Sequence, residues 1–521
     1  MRGEEKMKKK LLITVTAILM MVFTACSSGK DDSTSNKGGE NAGSGETTLL
    51  IAADQDPSGL DPHTTTAHSS HRIMGKIYEG LLDLDEDRNF VGQLAEDWEQ
   101  VDDTTYTFKL RENVIFHNGR EMTADDVKYS FERILDPDTG AISRSYFDVV
   151  EEINVLDTYE IEFKLSKPYA PFLSYVASGA NAAIIPEEEV EEHGNLDQVA
   201  VGTGPFKFEE MVPDTHVKLK KNEDYYIEGK PVIEELHYLT IVDESSRLAA
   251  IRTGEVHLTT VTPDSVSLVE NDDNLNVITY DALEYSYLGF NVTRDKLDDQ
   301  KVREAISLAI DRQEIIDTVM NGEAELSGPV PPSFGDWPID VADLDMYKPD
   351  VEKAKSLLSE AGAEGLELEM GVPSTEALLV SSAQIIEQQL ANVGIQAKIV
   401  QLEWGEYIDA WNENKYDMLV GLNGPGRDPD RSLGFFFSSE GSANVWGYES
   451  EEYDALIEDG LVESDEDKRK EIYDEAQEYI INDAPNLFIY MPKSYIVVRE
   501  NISDYNPVPH NTEDFLDITI D

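Results

Sequence analysis

Alternating apolar and polar residues predict strands in the first third of the chain. Residues 49–53 form an apolar run before a turn-rich segment, and residues 106–110 and 159–165 alternate at a period of two, as half-buried strands do. Between the last two, residues 127–134 carry apolar side chains at helical spacing, behind Thr123, which is a favourable helix N-cap. This part of the chain is therefore predicted to be α+β.

Helices and strands alternate in the second half of the chain. Apolar residues at helical spacing predict one helix from residue 302 that ends at Asn321-Gly322, and another that ends at Gly362. The pattern then continues in this order: strand 366–370, helix 377–393, strand 395–402, a short helix around Trp411, strand 416–420, helices near 453–461 and 467–481, and strand 495–499. This alternation with short connections predicts an α/β lobe.

The length and the charge of the chain limit its domain organisation and its possible partners. A chain of 521 residues is too long for one compact core, so two or three lobes are expected. The chain carries 105 acidic and 42 basic residues, which gives a formal net charge of −63. Because such a surface repels phosphate backbones, the charge excludes nucleic acid as a partner.

Residues 1–25 are predicted to be a lipoprotein signal peptide. Basic residues precede an apolar run over residues 11–24, which is too short for a membrane span and fits the apolar core of a secretory signal. The run leads to Cys26, the only cysteine of the chain, and the small residues before it resemble a bacterial lipoprotein cleavage box. Cys26 is therefore predicted to carry the lipid anchor, with residues 26–48 as a flexible tether. The alternative is an ordinary signal peptide with an incidental cysteine.

Motifs of common catalytic and metal sites are absent from the sequence. It has no G-x-S-x-G, H-E-x-x-H or G-x-x-x-x-G-K-[ST] motif, and one cysteine cannot form a disulfide or a cysteine-based metal site. His63, His68 and His71 lie close together, but their spacing is weak for a metal site and favours hydrogen bonding in a polar loop. The aspartates of residues 83–87 lack the glycine and glutamate of a calcium loop and are interpreted as a hairpin tip. We therefore predict no enzyme activity, no cofactor and no resident metal.

Short motifs along the chain point to one protein family. Four lie close together: LAEDW at 94–98, YTFKLR at 106–111, VIFHNG at 114–119 and TADDV at 123–127. Others are LDPH at 60–63, YEGL at 78–81, GTGPF at 202–206, NEDYY at 222–226, AIRTGE at 250–255, YLGFN at 287–291 and VREAISLAIDR at 302–312. Together they resemble the family 5 extracellular solute-binding proteins, the dipeptide-, oligopeptide- and nickel-binding receptors of ABC importers. The resemblance extends over residues 49–521.

The resemblance implies an α/β fold of the two-lobe, periplasmic-binding-protein-like type, with an extra sub-domain inserted in the first lobe. The boundaries expected for this chain are 49–75, 200–285 and 492–521 for lobe I, 76–199 for the inserted sub-domain and 286–491 for lobe II. Lobe closure around a solute is the expected mechanism, with hinges at loop positions.

The resemblance also implies a function. The expected protein is a monomeric receptor, lipid-anchored on the outer face of the cell membrane, which captures peptides or peptide-like solutes and delivers them to ABC permease subunits. The alternatives are another solute, namely a nickel chelate, an oligosaccharide or an opine-like molecule, and a signalling receptor that senses peptides without importing them.

Only part of the family's ligand site can be transferred to this sequence. Family members bind the peptide main chain through a loop that here contains His68, Ser69 and Ser70, and through a second loop at residues 424–430. In peptide receptors an aspartate of the second loop anchors the peptide ammonium, but this chain has Pro425 at that position. The remaining candidate ligand-binding residues are Arg427, Asp428 and Asp430 of that loop and the aromatic residues Tyr285, Tyr287, Trp404 and Trp446. The alternatives are an ion pair between Arg427 and a neighbouring aspartate, and core or hinge packing for the aromatic side chains.

Overall fold

A computed structural model describes residues 48–65, 67–85, 88–179, 181–424, 426–507 and 515–521. The predicted signal peptide, its Cys26 and all but the last residue of the predicted tether lie outside the described residues. Within these ranges, no helix is both long enough and apolar enough to cross a membrane.

The structure contains strands of two to ten residues. In chain order they are β1 Thr48–Ala53, β2 Leu82–Leu84, β3 Phe90–Gly92, β4 Ala95–Asp102, β5 Thr105–Leu110, β6 Val150–Asp157, β7 Glu160–Leu165, β8 Phe206–Val212, β9 His216–Lys221, β10 Glu235–Thr240, β11 Leu258–Val261, β12 Leu275–Asp281, β13 Tyr285–Phe290, β14 Ala324–Leu326, β15 Glu367–Pro373, β16 Gln396–Leu402, β17 Met418–Asn423, β18 Asn486–Phe488, β19 Tyr490–Arg499, β20 Ile502–Ser503 and β21 Thr519–Ile520.

Helices lie between these strands in all parts of the described chain. In chain order they are α1 His68–Met74, α2 Ala124–Leu135, α3 Arg144–Phe147, α4 Phe172–Val176, α5 Glu187–His193, α6 Glu244–Thr253, α7 Pro263–Val269, α8 Gln300–Ala309, α9 Arg312–Val319, α10 Val351–Glu360, α11 Ala377–Asn392, α12 Trp404–Asn412, α13 Asp430–Phe437, α14 Glu451–Val462 and α15 Glu466–Asp483, with a 3₁₀ turn at Asp345–Tyr347.

The first lobe is built on a mixed eight-stranded sheet. Its strands follow the order β12-β19-β11-β1-β10-β9-β8, and β14 pairs with β19 beside this path. β1 runs parallel to β10 and β11, whereas β19 runs antiparallel to β11 and β12. Along β1, Leu49 and Ile51 belong to one apolar core and Ala52 to another, because successive side chains point to opposite faces of a strand. Helices therefore cover the sheet on both sides.

A separate antiparallel sheet is inserted between β1 and β8. Its order is β4-β5-β7-β6, and its core includes Phe108, Phe131, Phe163 and Phe172. β2 and β3 form an additional hairpin with Asp83 on strand β2, while Asp87 of the predicted hairpin tip lies outside the described residues. The strands β5 and β7 and the helix α2 occupy the positions that alternation and helical spacing predict.

The second lobe is built on a five-stranded sheet of order β16-β15-β17-β13-β18. β15 is parallel to β16 and β17, and β13 is antiparallel to β17 and β18. Long helices such as α11 pack on this sheet, and the apolar residues of the lobe form one continuous core. The α/β character predicted for the second half of the chain is confirmed.

One predicted helix is divided into two. The sequence predicts a single helix from residue 302 to Asn321-Gly322, but the structure has α8 and α9 with a break at Ile310-Asp311. The Asp311 carboxylate accepts a hydrogen bond from the Glu314 backbone at 3.2 Å and so caps the start of α9. An aspartate cap of this kind favours a new helix start over continuation.

Two segments connect the sheets of the lobes. The three residues 282–284 lead from β12 directly into β13. Residue 489 leads from β18 of the second-lobe sheet into β19 of the first-lobe sheet, where residues 490–492 pair with β14 and residues 493–499 pair with β12. A cleft between two lobes joined in this way can open by rotation about these segments.

Candidate functional site

One wall of the cleft is formed by the end of β1 and the start of α1. Asp54 follows β1 and pairs with Arg72 of α1, with an Oδ1–Nη2 distance of 3.2 Å. Ser70 is buried, and its Oγ accepts a hydrogen bond from the Ser58 backbone at 3.0 Å, which holds the loop after β1 against α1. Ser69 is also buried, whereas His68 is exposed at the first position of the helix. Of the three residues predicted in this loop, His68 is thus the one whose side chain is open to a solute.

The surroundings lower the pKa values of two histidines of this wall. The side chain of His68 is open to the cleft, but protein atoms crowd its imidazole; this desolvation lowers its pKa to about 4, with a smaller effect from the charge of Arg72. Desolvation also lowers the pKa of His71, and the charge of Arg431 acts in the same direction, against a hydrogen bond to the Thr65 carbonyl. Because Arg431 belongs to α13 of the second lobe, its influence on His71 crosses the cleft.

The opposite wall is formed where β13 begins and β17 ends. These strands are antiparallel neighbours, with Tyr285 opposite Asn423, so Glu284 and Gly424 lie side by side just beyond them. A Cβ on Gly424 would lie 2.9 Å from the Leu283 carbonyl oxygen and 4.0 Å from the Glu284 Cγ. A residue with a side chain would force these segments apart, and glycine permits their close approach.

Two carboxylates of the second wall have no cationic partner among the described residues. Burial raises the pKa of Glu284, and the charge of Glu376 adds to this effect. Burial also raises the pKa of Glu376, and the charge of Asp54 on the first lobe adds to it. A positively charged group of a solute placed between these carboxylates would stabilise their ionised forms.

The cleft thus carries charges of both signs on residues that the sequence did not indicate. They are Asp54 and Arg72 on the first wall and Glu284, Glu376 and Arg431 on the second. These positions are far apart along the chain, and each lies in a segment with an ordinary mixture of charged residues. Only the pairing of β13 with β17 and the approach of the lobes bring them together.

The charged residues of the second loop have protein partners. Arg427 donates a hydrogen bond from Nη1 to Asp83 Oδ1 at 2.7 Å, so its ion-pair partner is in the inserted sub-domain and not one of the adjacent aspartates. The Asp428 carboxylate accepts from Arg469 Nη1 and Nη2 at 3.0 and 2.7 Å, and from Ser174 Oγ at 3.1 Å. Solute binding by Arg427 and Asp428 stays a prediction.

A cavity of about 820 Å³ lies next to this loop, between the inserted sub-domain and the second lobe. Arg427, Asp428 and Arg469 line it from the second lobe, and Arg88 lines it from the sub-domain. The Arg88 guanidinium stacks 3.9 Å from the centre of the Phe334 ring and donates to the Arg427 carbonyl at 3.3 Å. The loop therefore contacts the sub-domain as well as the second lobe.

The predicted aromatic residues have different environments. Tyr285, Tyr287 and Trp446 are buried in the core of the second lobe, where Tyr287 and Trp446 pack edge to face with ring centres 5.5 Å apart. Trp404 is 52% exposed and stacks on Tyr407 with ring centres 5.8 Å apart. Solute contact stays a prediction for all four, and Trp404 is the one whose ring has a large free surface.

Two of the three clustered histidines, His63 and His71, make ordinary hydrogen bonds to the protein. Buried His63 donates from Nε2 to the Ala183 carbonyl at 3.0 Å and accepts from Arg133 Nη1 at its Nδ1, at 2.8 Å. In the part of the chain that the structure describes, no three His, Cys, Asp or Glu side chains are grouped so that they could hold a metal ion.

Comparison with known proteins finds similarity to the family 5 solute-binding proteins over most of the chain. Residues 89–444 match the model of bacterial extracellular solute-binding proteins, family 5, middle part. The chain is 30% identical to the dipeptide-binding protein of Escherichia coli (strain K12), over 91% of this chain and 95% of that protein. The alignment covers nearly the full length of both proteins.

Solved structures share the fold. The Helicobacter pylori protein DppA, in complex with the peptide STSA, has a TM-score of 0.81 and 29% identity, and the match covers 91% of this chain and 98% of that one. The protein AgaA from A. tumefaciens R10, in complex with agropinic acid, has a TM-score of 0.82 and 26% identity, with 91% and 99% covered. The predicted two-lobe α/β fold is confirmed, and the chain belongs to family 5 of the bacterial extracellular solute-binding proteins.

Proposed function

We propose that this protein is a lipid-anchored receptor that captures a peptide or peptide-like solute between its lobes and delivers it to an ABC permease. The observation that carries the proposal is the nearly full-length similarity to a dipeptide-binding protein, together with the same fold as a receptor solved with a peptide. The family is one of solute-binding proteins, and the proposed mechanism involves no covalent chemistry.

The charges of the cleft support a solute with a positive and a negative end. Glu284 and Glu376 offer carboxylates that lack a cationic partner in the described chain, and they suit an ammonium group. Arg431 and Arg72 offer guanidinium groups, which bind a carboxylate by two parallel hydrogen bonds. A short peptide with free ends has both groups.

Closure of the lobes links capture to delivery. A solute that contacts both walls stabilises the closed form, because only that form makes both sets of contacts. If the permease recognises the closed form, solute binding and permease binding strengthen each other by the same factor. Two acyl chains on Cys26 would keep the receptor at the membrane surface where this exchange takes place.

A second candidate solute is an opine-like molecule. The similarity to the structure with agropinic acid favours it, and so does Pro425 at the position of the family's ammonium-anchoring aspartate. A nickel chelate, an oligosaccharide and a sensing role without import are the remaining alternatives.

Thermal unfolding of the full chain with a solute library tests the proposal. A solute that binds only the folded protein stabilises it by about 2.7 kcal/mol at a hundredfold excess over Kd, so binders raise the melting temperature. We expect hits among di- to pentapeptides with free ends, and weaker shifts from their N-acetylated forms. Shifts from agropinic acid, nickel–histidine or oligosaccharides without any from peptides would replace the peptide assignment.

A further inference from the structure

Asp430 is a buried carboxylate whose charge has no counter-ion of its own. It is the first residue of α13 and is 7% exposed. Its Oδ2 accepts a hydrogen bond from Tyr175 OH at 3.4 Å, and its Oδ1 is buried against Gly434 of the same helix without a hydrogen-bond partner. Asp430 therefore lies in an environment that penalises its ionised form.

Among the described residues, no guanidinium group near Asp430 donates a hydrogen bond to it. From the preceding loop comes Asp428, and from α15 come Arg469 and Tyr473. Arg469 is used by Asp428, to which it donates two hydrogen bonds. The Arg431 guanidinium, on the same helix as Asp430, donates to the Tyr146 hydroxyl. The remaining titratable groups that face Asp430 are phenols, whose pKa values burial raises: Tyr453 of α14 and Tyr146, Tyr169 and Tyr175 of the inserted sub-domain. The hydroxyls of Tyr175 and Tyr473 and the partial positive charge at the α13 N-terminus offset part of the cost of ionising Asp430.

This cluster lies at the contact between the inserted sub-domain and the second lobe. Tyr175 and Ser174 of α4 donate to Asp430 and Asp428, and the Ala170 backbone donates to the Leu461 carbonyl at 2.8 Å. Separation of the two surfaces breaks these hydrogen bonds and admits water to Asp430. Closure removes that water.

We propose that Asp430 is a proton-dependent clasp between the inserted sub-domain and the second lobe, neutral when the lobes are closed and ionised when they are open. Its effect on solute capture rests on the proposed function, since it requires that the lobes close around the solute. The contact itself does not depend on which solute is bound.

The direction of the pH dependence follows from burial. Desolvation, with the charge of Asp428 adding to it, raises the pKa of Asp430 from 3.8 to about 7 in the closed form. Contact with water returns the pKa toward its ordinary value when the interface opens. Closure then takes up a proton between about pH 4 and pH 7, so Kd for a solute rises with pH across this window, by at most about tenfold per pH unit, and levels off above it.

Two measurements on the full chain test the clasp. Calorimetry with trialanine at pH 5, 6, 7 and 8 should show a Kd that rises with pH in the wild type and changes much less in Asp430→Asn. Small-angle scattering without solute should show a larger radius of gyration at pH 8 than at pH 5 in the wild type, and equal values in Asp430→Asn. Asp467→Asn, which removes an exposed carboxylate at the start of α15, should behave as the wild type does.

The outcomes separate the clasp from the proposed function. If trialanine does not bind but the solute-free opening depends on pH and is lost in Asp430→Asn, the clasp is supported and the peptide assignment is not. If trialanine binds and neither measurement differs between the wild type and Asp430→Asn, the clasp is wrong.

Tyr175→Phe provides a second variant in case Asp430→Asn does not fold. It removes the hydrogen bond that favours the ionised carboxylate of Asp430, so it should move the upper end of the pH window to higher pH. An unchanged window in Tyr175→Phe would overturn the clasp.

Discussion

Arg427 of the second lobe and Asp83 of the inserted sub-domain form an ion pair with an Nη1–Oδ1 distance of 2.7 Å. Their side chains are 12% and 26% exposed, so water screens the pair only in part. The two residues are 344 positions apart in the sequence. The pair therefore joins two bodies that must separate when the cleft opens.

Arg427→Ala and Asp83→Ala are expected to weaken solute binding to the same modest degree, by about 1 kcal/mol or less, because each removes the same closing contact. The double variant should then show no further loss, which calorimetry with trialanine measures as a coupling energy close to the single effect. A large loss for Arg427→Ala with no effect of Asp83→Ala would instead show that Arg427 contacts the solute.

Asp428→Ala is expected to destabilise the fold by about 3–5 kcal/mol, because it leaves the buried Arg469 guanidinium without a counter-ion. Urea denaturation measures the change in the free energy of unfolding. Asp467→Ala, at an exposed position, serves as the control and should have little effect. Normal stability with lost solute affinity would assign Asp428 to the solute.

Glu284→Gln is expected to weaken binding of a peptide with a free ammonium group by about 2–5 kcal/mol, the cost of removing one partner of a desolvated charge pair. The same variant should bind the N-acetylated peptide about as well as the wild type does. Glu406→Gln, on an exposed position of α12 in the same lobe, is the matched control. Equal affinity of both variants for the free peptide would place the ammonium elsewhere in the cleft.

Acidification is expected to lower the stability of the protein between about pH 6.5 and pH 4, in part through His117. Its Nε2 donates to the Gly204 carbonyl and its Nδ1 accepts from the Gly202 backbone, an arrangement that requires the neutral ring. Desolvation lowers the pKa of His117 to about 4, so the unfolded chain binds the proton first as the pH falls. The expected loss is about 1–3 kcal/mol.

Urea denaturation at a series of pH values measures this effect. His117→Gln can still donate and accept but does not titrate, so its stability should fall less steeply over the same range. His193→Gln, an exposed histidine at the end of α5, should follow the wild type. Parallel curves for the wild type and His117→Gln would show that His117 does not carry the effect.

Cys26→Ser is expected to release the protein from the membrane, because no other cysteine can accept a lipid. Cell fractionation should find the wild type with membranes and the variant in the medium or uncleaved. Mass spectrometry of the mature N-terminus provides an independent check. A wild type that is soluble and carries no lipid would support the ordinary signal peptide.

Much of the fold could be predicted because its signals are local. Alternation identifies β5 and β7, and helical spacing identifies α2 and α11, since each period follows from burial of one face. The break between α8 and α9 was missed because apolar residues continue across it, from Ile306 to Ile315. Asp311 was the available signal, as an N-cap residue inside an otherwise helical pattern.

Less of the cleft could be predicted because its residues meet only in the folded chain. The sequence indicated His68, but nothing near Glu284 distinguishes it from the many other glutamates. For Arg427 the sequence leaves open an ion pair with an adjacent aspartate, whereas Asp428 is occupied by Arg469 and Arg427 reaches Asp83. Such pairings depend on which surfaces approach each other, and residue types alone do not determine this.

The order of strands in the first-lobe sheet determines when that lobe can fold. β11 lies between β1, at the start of the described chain, and β19, near its end, so the sheet cannot be completed before almost all of the chain has been synthesised. Its core likewise combines Leu49 and Ile51 with Ile496 and Val498. The sheets of the inserted sub-domain and the second lobe use contiguous segments that precede residue 490. We therefore expect the first lobe to be the last part to fold. Such a delay would keep the chain unfolded for longer, which passage through a secretion channel requires.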